Sequence, residues 1–246
     1  GLNQRWVLAQ DENGQVSIYN AANPNLVLDA AKNPPVSGVN VSAYTSNGGA
    51  NQEWVLKSTN DISLSSVNLS NNIKNYTGSA LMPDVELSSF GAILEEGKDY
   101  SFLYNGSENL PIEPGVYTVS AKGMGTYVGS KEVGSFTIYP EISCSDNGYL
   151  ITSAANTNLV LDAAKNPPVS GANVTAYTSN GGKNQTWFIE PDGQGYYIIR
   201  NGANESLVLD AAKAVPASGA NVSAYTDNGG LNQRWVLAQD ENGQVS

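Results

Sequence analysis

Residues 23–54 read NPNLVLDAAKNPPVSGVNVSAYTSNGGANQEW. The stretch returns at 156–187 as NTNLVLDAAKNPPVSGANVTAYTSNGGKNQTW, with five of 32 positions changed. It returns again at 204–235 as NESLVLDAAKAVPASGANVSAYTDNGGLNQRW. Asp, Tyr, Asn and Trp follow one another at identical intervals in every copy: Asp29, Tyr44, Asn51 and Trp54, then Asp162, Tyr177, Asn184 and Trp187, then Asp210, Tyr225, Asn232 and Trp235. Self-similarity at fixed spacing marks a repeat architecture, so these copies govern the reading of the fold. LVLDAA reads as a strand with a carboxylate at its end. AKNPPVSG reads as a loop, because tandem prolines and a glycine break strand and helix alike. NVSAYT returns as a short strand, SNGG turns, and NQxW closes the unit. The Trp, with about 150–250 Å² to bury, reads as a core anchor.

Outward from the copies, residues 1–17 (GLNQRWVLAQDENGQVS) are identical to residues 230–246. Applied to Asp29, the same offset gives a position as far beyond Asp210 as Asp210 is beyond Asp162. The expectation is a tandem array of period 229, entered and left in mid-repeat. The stretch 60–140 has neither LVLDAA nor NQxW. It strings together ISLSSVNLS, YTGSALMPDVELS, KDYSFLY, GVYTVSAKG and GSFTIYP between Gly and Pro turns. Period-2 strands of five to eight residues joined this way predict a small β-sandwich. The division expected is therefore 1–59, 60–140 and 141–246.

Composition agrees with an all-β chain and removes much chemistry. With 25 Gly, 11 Pro and 13 Tyr but only 14% charged residues, no window carries the 3.6-residue periodicity of a long helix. The 246 residues suffice for a sizeable core. A balance of 12 Lys+Arg against 23 Asp+Glu, net −11, argues against nucleic acid and anionic membrane surfaces. No apolar run nears the ~18 residues of a membrane span, so no membrane insertion is expected. The absence of His removes Ser-His and Cys-His catalysis and His metal sites. The single cysteine, Cys144, excludes an intrachain disulfide and a CxxC zinc site.

The string LVLD-x14-Y-x6-NQxW, three times over, resembles the ricin-type β-trefoil lectins and microbial carbohydrate-binding modules, whose hallmark is QxW. Here that motif falls at Gln52/Trp54, Gln185/Trp187 and Gln233/Trp235. The resemblance spans roughly 1–59 and 141–246. It implies a trefoil of three lobes with one shallow sugar site per lobe. Carried over by position, Asp29, Asp162 and Asp210 would accept hydroxyl hydrogen bonds. Tyr44, Tyr177 and Tyr225 would be stacking platforms, Asn51, Asn184 and Asn232 would supply an amide, and Gln52, Gln185 and Gln233 would orient the Asp or the turn. The chemistry suits a sugar independently. A carboxylate accepts two hydroxyls, an amide donates and accepts, and an aromatic face packs on a C–H patch. Family members often carry Gln two residues before the aromatic; here Ser42, Thr175 and Ser223 stand there, leaving the sugar open. Tyr platforms suit modest affinity, a Kd near 1 mM or about −4 kcal/mol per site, so several sites would act by avidity. The middle stretch resembles a bacterial Ig-like spacer domain, carried by YTGSALMPDVEL, GKDYSFLY, PGVYTVSAKGMGTYVGS and SFTI.

Plainer alternatives stand beside each assignment. The Asp residues could be turn caps at strand ends, and the Tyr residues framework aromatics. SDNG, PDGQG and DENG lack the acidic set of an EF-hand loop and read as β-turns. A glycosidase needs two carboxylates about 5–10 Å apart across a sugar, whereas the prominent Asp residues sit in separate repeats, and Asp11/Glu12, Asp240/Glu241 and Glu95/Glu96 fall in turns. The expectation is a non-enzymatic glycan binder: a repeat unit of a secreted or bacterial cell-surface adhesin, needing no cofactor and no metal. The alternative is a spacer or scaffold that self-associates head to tail, with Trp6 and Trp235 competing for one slot.

Overall fold

The computed structural model describes residues 1–240 and 244–246. Among these, short β-branched runs between Gly, Pro and Asn turns fold into 18 strands linked by loops and single-turn 3-10 helices. The chain divides into two compact units, Gly1–Asp61 and Ile62–Ser246.

The first unit is a four-stranded antiparallel meander of Trp6–Gln10, Val16–Asn20, Asn23–Ala30 and Val41–Thr45. A 3-10 turn over Ala50–Gln52 follows, and Trp54 pairs back to Val16. Its first hairpin is closed by Asp11, whose Oδ1 accepts from the Asn13 and Gln15 amides at 2.9 and 2.8 Å. Val16, Val27 and Ala30 are buried, while Trp6–Gln10 is exposed along its whole length.

In the second unit, two sheets form a sandwich. One sheet orders Ser66–Ser70, Asp84–Ser89 and Ala92–Ile93; the other orders Ile73–Asn75, Ser130–Tyr139, Gly115–Gly123 and Tyr100–Tyr104. Ile73–Asn75 runs parallel to Ser130–Tyr139, and the remaining pairs are antiparallel. Alternation puts Leu87 of one sheet and Phe102, Tyr104, Val119, Phe136 and Ile138 of the other into one core. The expected strand GVYTVSAKG is found as Gly115–Gly123; GSFTIYP is the end of the longer strand Ser130–Tyr139.

The second and third repeats share a seven-stranded sheet. The second contributes Thr152–Ser153, Asn156–Ala163 and Ala172–Thr178; the third contributes Val222–Thr226 and Leu207–Ala211, continued by Tyr197–Asn201 and Trp187–Pro191. The halves are joined through the pairs Ala172↔Ala224 and Asn173↔Ser223. Trp187, Tyr197, Leu207, Leu209 and Ala224 fill the core beneath. LVLDAA is a strand with its Asp one residue from the end, as expected, but in the first two repeats it starts earlier, at Asn23 and Asn156. The loop after it closes on a β-turn, Val39 N–H to Val36 carbonyl in the first repeat, with Gly38 at φ +80° where a type II turn requires glycine.

The sandwich is latched to this sheet within the unit. Asn75, 2% exposed, donates through Nδ2 to the Leu237 carbonyl at 2.8 Å, and its Oδ1 accepts from the Leu237 amide at 3.0 Å. Its own amide donates to the Gly195 carbonyl at 2.7 Å.

Candidate functional site

Each Asp, one residue before its strand's end, faces a fixed register partner: Asp29 opposite Ser42, Asp162 opposite Thr175, Asp210 opposite Ser223. These positions set short hydroxyl side chains across from the carboxylate. The Tyr follows two residues along the returning strand, and Tyr44 and Tyr177 are each 57% exposed.

The 3-10 turn of NQxW then brings the amides in. Gln52 Nε2 donates to Asp29 Oδ2 at 2.8 Å and to the Thr45 carbonyl at 3.0 Å, while Gln52 Oε1 accepts from the Asn47 amide at 2.9 Å. One buried side chain therefore fixes the carboxylate, the strand end and the turn together. Asn51 Nδ2 donates to Asp29 Oδ2 at 3.0 Å and to the Ala30 carbonyl at 2.9 Å. The second repeat does the same with Asn184 and Gln185 on Asp162, at 3.1 and 2.8 Å. The third uses Asn232 and Gln233 on Asp210, at 2.9 and 2.8 Å. The Trp indole locks the turn to the strand: Trp54, Trp187 and Trp235 donate to the carbonyls of Leu28, Leu161 and Leu209.

The geometry refines one expectation. Both Nδ2 hydrogens of each Asn are spent inside the protein, so the amide offers a ligand only its Oδ1 acceptor. Each Asp is 6–8% exposed with Oδ2 taken by two amides, which leaves Oδ1 to accept from outside. In the second repeat an open cleft of about 280 Å³ forms over this group, lined by Asp162, Lys165, Asn166, Tyr177, Asn180 and Asn184. Three of these were in the sequence reading. Lys165, Asn166 and Asn180 were not; Lys165 and Asn166 lie in a segment legible only as loop, and Asn180 in one legible only as turn.

The third repeat differs around the same triad. Asp227 replaces the Ser of SNGG, and Arg234 reaches both it and Asp192, at 3.4 and 3.6 Å, while Arg200 lies 3.6 Å from Asp227. Burial pushes the Asp227 carboxyl up, but the Gly229 amide and the two guanidinium groups outweigh it and hold it below the ordinary carboxylate value. Thr226 of the platform strand is also bonded, through N and Oγ1, to Ser170 of the second repeat's loop.

Among the described residues no group of three His, Cys, Asp or Glu is placed to hold a metal ion. SDNG is a β-turn closed by the Gly148 amide on Ser145, and in PDGQG Asp192 Oδ1 accepts from Gln194 and Tyr196. The second DENG runs into residues 241–243, outside the described residues. Cys144 is a free cysteine whose thiol is pushed up by burial and by Glu141 and Glu190.

An all-β chain that repeats a carboxylate held by two amides at a strand end, closed by an anchored Trp, has the construction of a lectin-like repeat protein. A family model described as ricin-type beta-trefoil lectin domain-like matches residues 2–84 and 135–225. That is more than half of the chain, and the chain belongs to this family. Among solved structures it is similar to a designed 3-fold symmetric protein, ThreeFoil, at 22% identity over 87% of this chain and 90% of that one, with a TM-score of 0.33. It is similar to a mosquitocidal holotoxin at 22% identity and TM-score 0.33, covering 96% of this chain and 30% of that one. It is also similar to 1,3Gal43A, an exo-beta-1,3-galactanase from Clostridium thermocellum, at 14% identity and TM-score 0.34, covering 99% of this chain and 59% of that one. The chain thus spans less than two thirds of the toxin and of the galactanase. No curated protein matches it significantly.

Proposed function

We propose that the chain binds glycans without catalysis, as a multivalent repeat unit of a secreted or bacterial cell-surface adhesin whose Ig-like sandwich spaces the lectin repeats. The observation that carries this reading is the threefold Asp–Asn–Gln group. Two amides hold each carboxylate by Oδ2, which leaves Oδ1 as the acceptor for a ligand, and in the second repeat Asp162 and the exposed Tyr177 line one cleft. A preorganised acceptor beside an aromatic face matches vicinal hydroxyls next to a C–H patch. Each Asp is anchored within its own repeat rather than paired with a second carboxylate, which supports recognition over glycoside cleavage. The test is a glycan array read with the wild-type chain beside D29A/D162A/D210A. Wild-type binding that disappears in the triple variant is the expected result; a folded wild-type chain that retains no glycan removes the reading.

A second reading, head-to-tail self-association, is favoured by one contrast between identical segments. Trp235 is half-buried with its indole on the Leu209 carbonyl, whereas Trp6 in the same sequence context is 41% exposed. Residues 1–11 of one copy carry the side chains needed to occupy the slot of residues 230–240 in another. Sedimentation across a hundredfold concentration range checks it: growth into open-ended oligomers is expected, and a strict monomer removes it.

A further inference from the structure

The Asp–Asn–Gln group is common to the three repeats, but the loop after the Asp is not. It reads Lys32-Asn33-Pro34 in the first repeat, Lys165-Asn166-Pro167 in the second and Lys213-Ala214-Val215 in the third. We propose that Asn33 and Asn166 make the first two repeats selective for a sugar whose substituent beside its hydroxyls presents an acceptor oxygen that bears no proton, and that the third repeat lacks this selectivity. The substituent is the carbonyl of an acetamido group or a carboxylate. The inference rests on the glycan-binding reading above and names the ligand class of those sites.

The chemistry follows from the hydrogen-bond inventory. With both Asn184 hydrogens spent on Asp162 and the Ala163 carbonyl, the shared group presents only acceptors, Asp162 Oδ1 and Asn184 Oδ1. Such a floor takes protons from hydroxyls. It gives nothing to a carbonyl or carboxylate oxygen, which has no proton to offer in return. Donors enter the cleft from the Nδ2 of Asn180, whose Oδ1 is taken by the Gly182 amide and which recurs as Asn47 and Asn228, and from the loop, where Lys165 and Asn166 form part of the lining; of these asparagines only the loop one differs between repeats. Asn166 Nδ2 lies 3.3 Å from the point where a Cβ on Gly182 would stand, and Asn33 Nδ2 lies 3.6 Å from the corresponding point at Gly49. Both amides thus lean over the glycine of the NGG turn, and neither side chain has a hydrogen-bond partner among the described residues. Gly49 has an ordinary φ of −73°, so glycine there supplies room rather than backbone freedom. A Cβ would meet Asn51 Oδ1 at 2.6 Å and Asn47 Oδ1 at 2.9 Å.

In the third repeat the three atoms nearest the same point at Gly230 belong to Asn232 and Asn228 alone. Ala214 has no donor, and its neighbour Val215 is 85% exposed. Lys213 is retained, so lysine does not distinguish the repeats; the amide does.

The experiment titrates the whole chain with six methyl glycosides: a neutral hexose, its 2-acetamido analogue and its uronic acid, each in galacto and gluco configuration. NMR shifts report the site occupied and calorimetry the stoichiometry. One acceptor-bearing class is expected to bind about tenfold tighter than its neutral parent, the 1.4 kcal/mol of one good hydrogen bond, at two sites per chain. Preference for the acetamido sugars assigns the carbonyl, and preference for the uronates assigns the carboxylate. N33A/N166A is expected to erase the preference, so that the acceptor-bearing sugar and its neutral parent bind that variant equally, and A214N to raise the stoichiometry from two to three. Three equivalent sites in the wild type, or a preference that survives N33A/N166A, overturns the inference alone, since sugar binding lost in D29A/D162A/D210A would still stand. A wild-type chain silent toward all six overturns it together with the glycan reading.

Discussion

Gln185 is fully buried and makes three hydrogen bonds, to Asp162, to the Thr178 carbonyl and from the Asn180 amide. Truncating it leaves a buried carbonyl and a turn amide without partners, at roughly 1–3 kcal/mol for each unsatisfied group. Q185A is therefore expected to destabilise the second unit by about 2–4 kcal/mol in urea denaturation and to leave the Asp162 carboxylate held by Asn184 alone. Gly182→Ala acts on the same turn by another route. Its Cβ would stand 2.9 Å from Asn180 Oδ1 and closer still to Asn184 Oδ1, displacing the amide that holds Asp162. The expected outcome is loss of ligand-induced NMR shifts in the second repeat with those of the first retained. At this scale the repeats made Asp, Tyr, Asn, Gln and Trp legible in the sequence, because one spacing recurs three times. They did not reveal that the Asn donors are spent, since the spacing is the same whichever way the amide faces. Nor did they single out Asn166, whose place over Gly182 depends on a loop path that no periodicity encodes.

Among the elements, the third repeat's turn is the one tied by charge. Its Asp227 has a folded-state value below the ordinary carboxylate one, so its contribution is present above the unfolded value and is lost as pH falls through the folded one. Stability of the second unit is expected to decline below about pH 4, and D227N to flatten that part of the curve in thermal melts followed down the acid range. The network was not legible in sequence, because Arg200 and Asp192 come from a different hairpin from Asp227. The Trp residues give a cleaner contrast. Trp187 is fully buried, and W187A should cost about 3–5 kcal/mol. Trp6, 41% exposed, should cost the first unit no more than about 1 kcal/mol on truncation in a dilute sample. A W6A cost comparable to that of W187A at low concentration would mean the first strand is covered in solution. The strands themselves were largely readable from β-branched runs and turn residues. Their joining through Ala172↔Ala224 and Asn173↔Ser223 was not, because each pair bridges neighbouring repeats at positions that look alike in every copy.

On the scale of the whole molecule, the family and the all-β class follow from repeat content, whereas the grip of the sandwich on the neighbouring sheet runs through the Asn75 side chain and backbone and through Lys74 over the Tyr196 ring. Asn75 and Leu237 are far apart in the chain, and nothing in either neighbourhood marks them as partners. Asn75→Ala is expected to remove amide protection at Leu237 in hydrogen exchange while leaving that of Trp187 in place.

The parallel pairing of Ile73–Asn75 with Ser130–Tyr139 also has a mechanical consequence. Tension applied at the two ends of the sandwich draws first on Ser66–Ser70, paired antiparallel with Asp84–Ser89, and then pulls these parallel strands lengthwise past each other. The bonds from Thr137 to Asn72 and from Tyr76 to Tyr139 then bear the load at the same moment instead of parting one by one. A tether made this way holds until the whole seam gives, so for a chain anchored at one end and attached at the other, the sandwich behaves as a fuse with a threshold rather than as a spring.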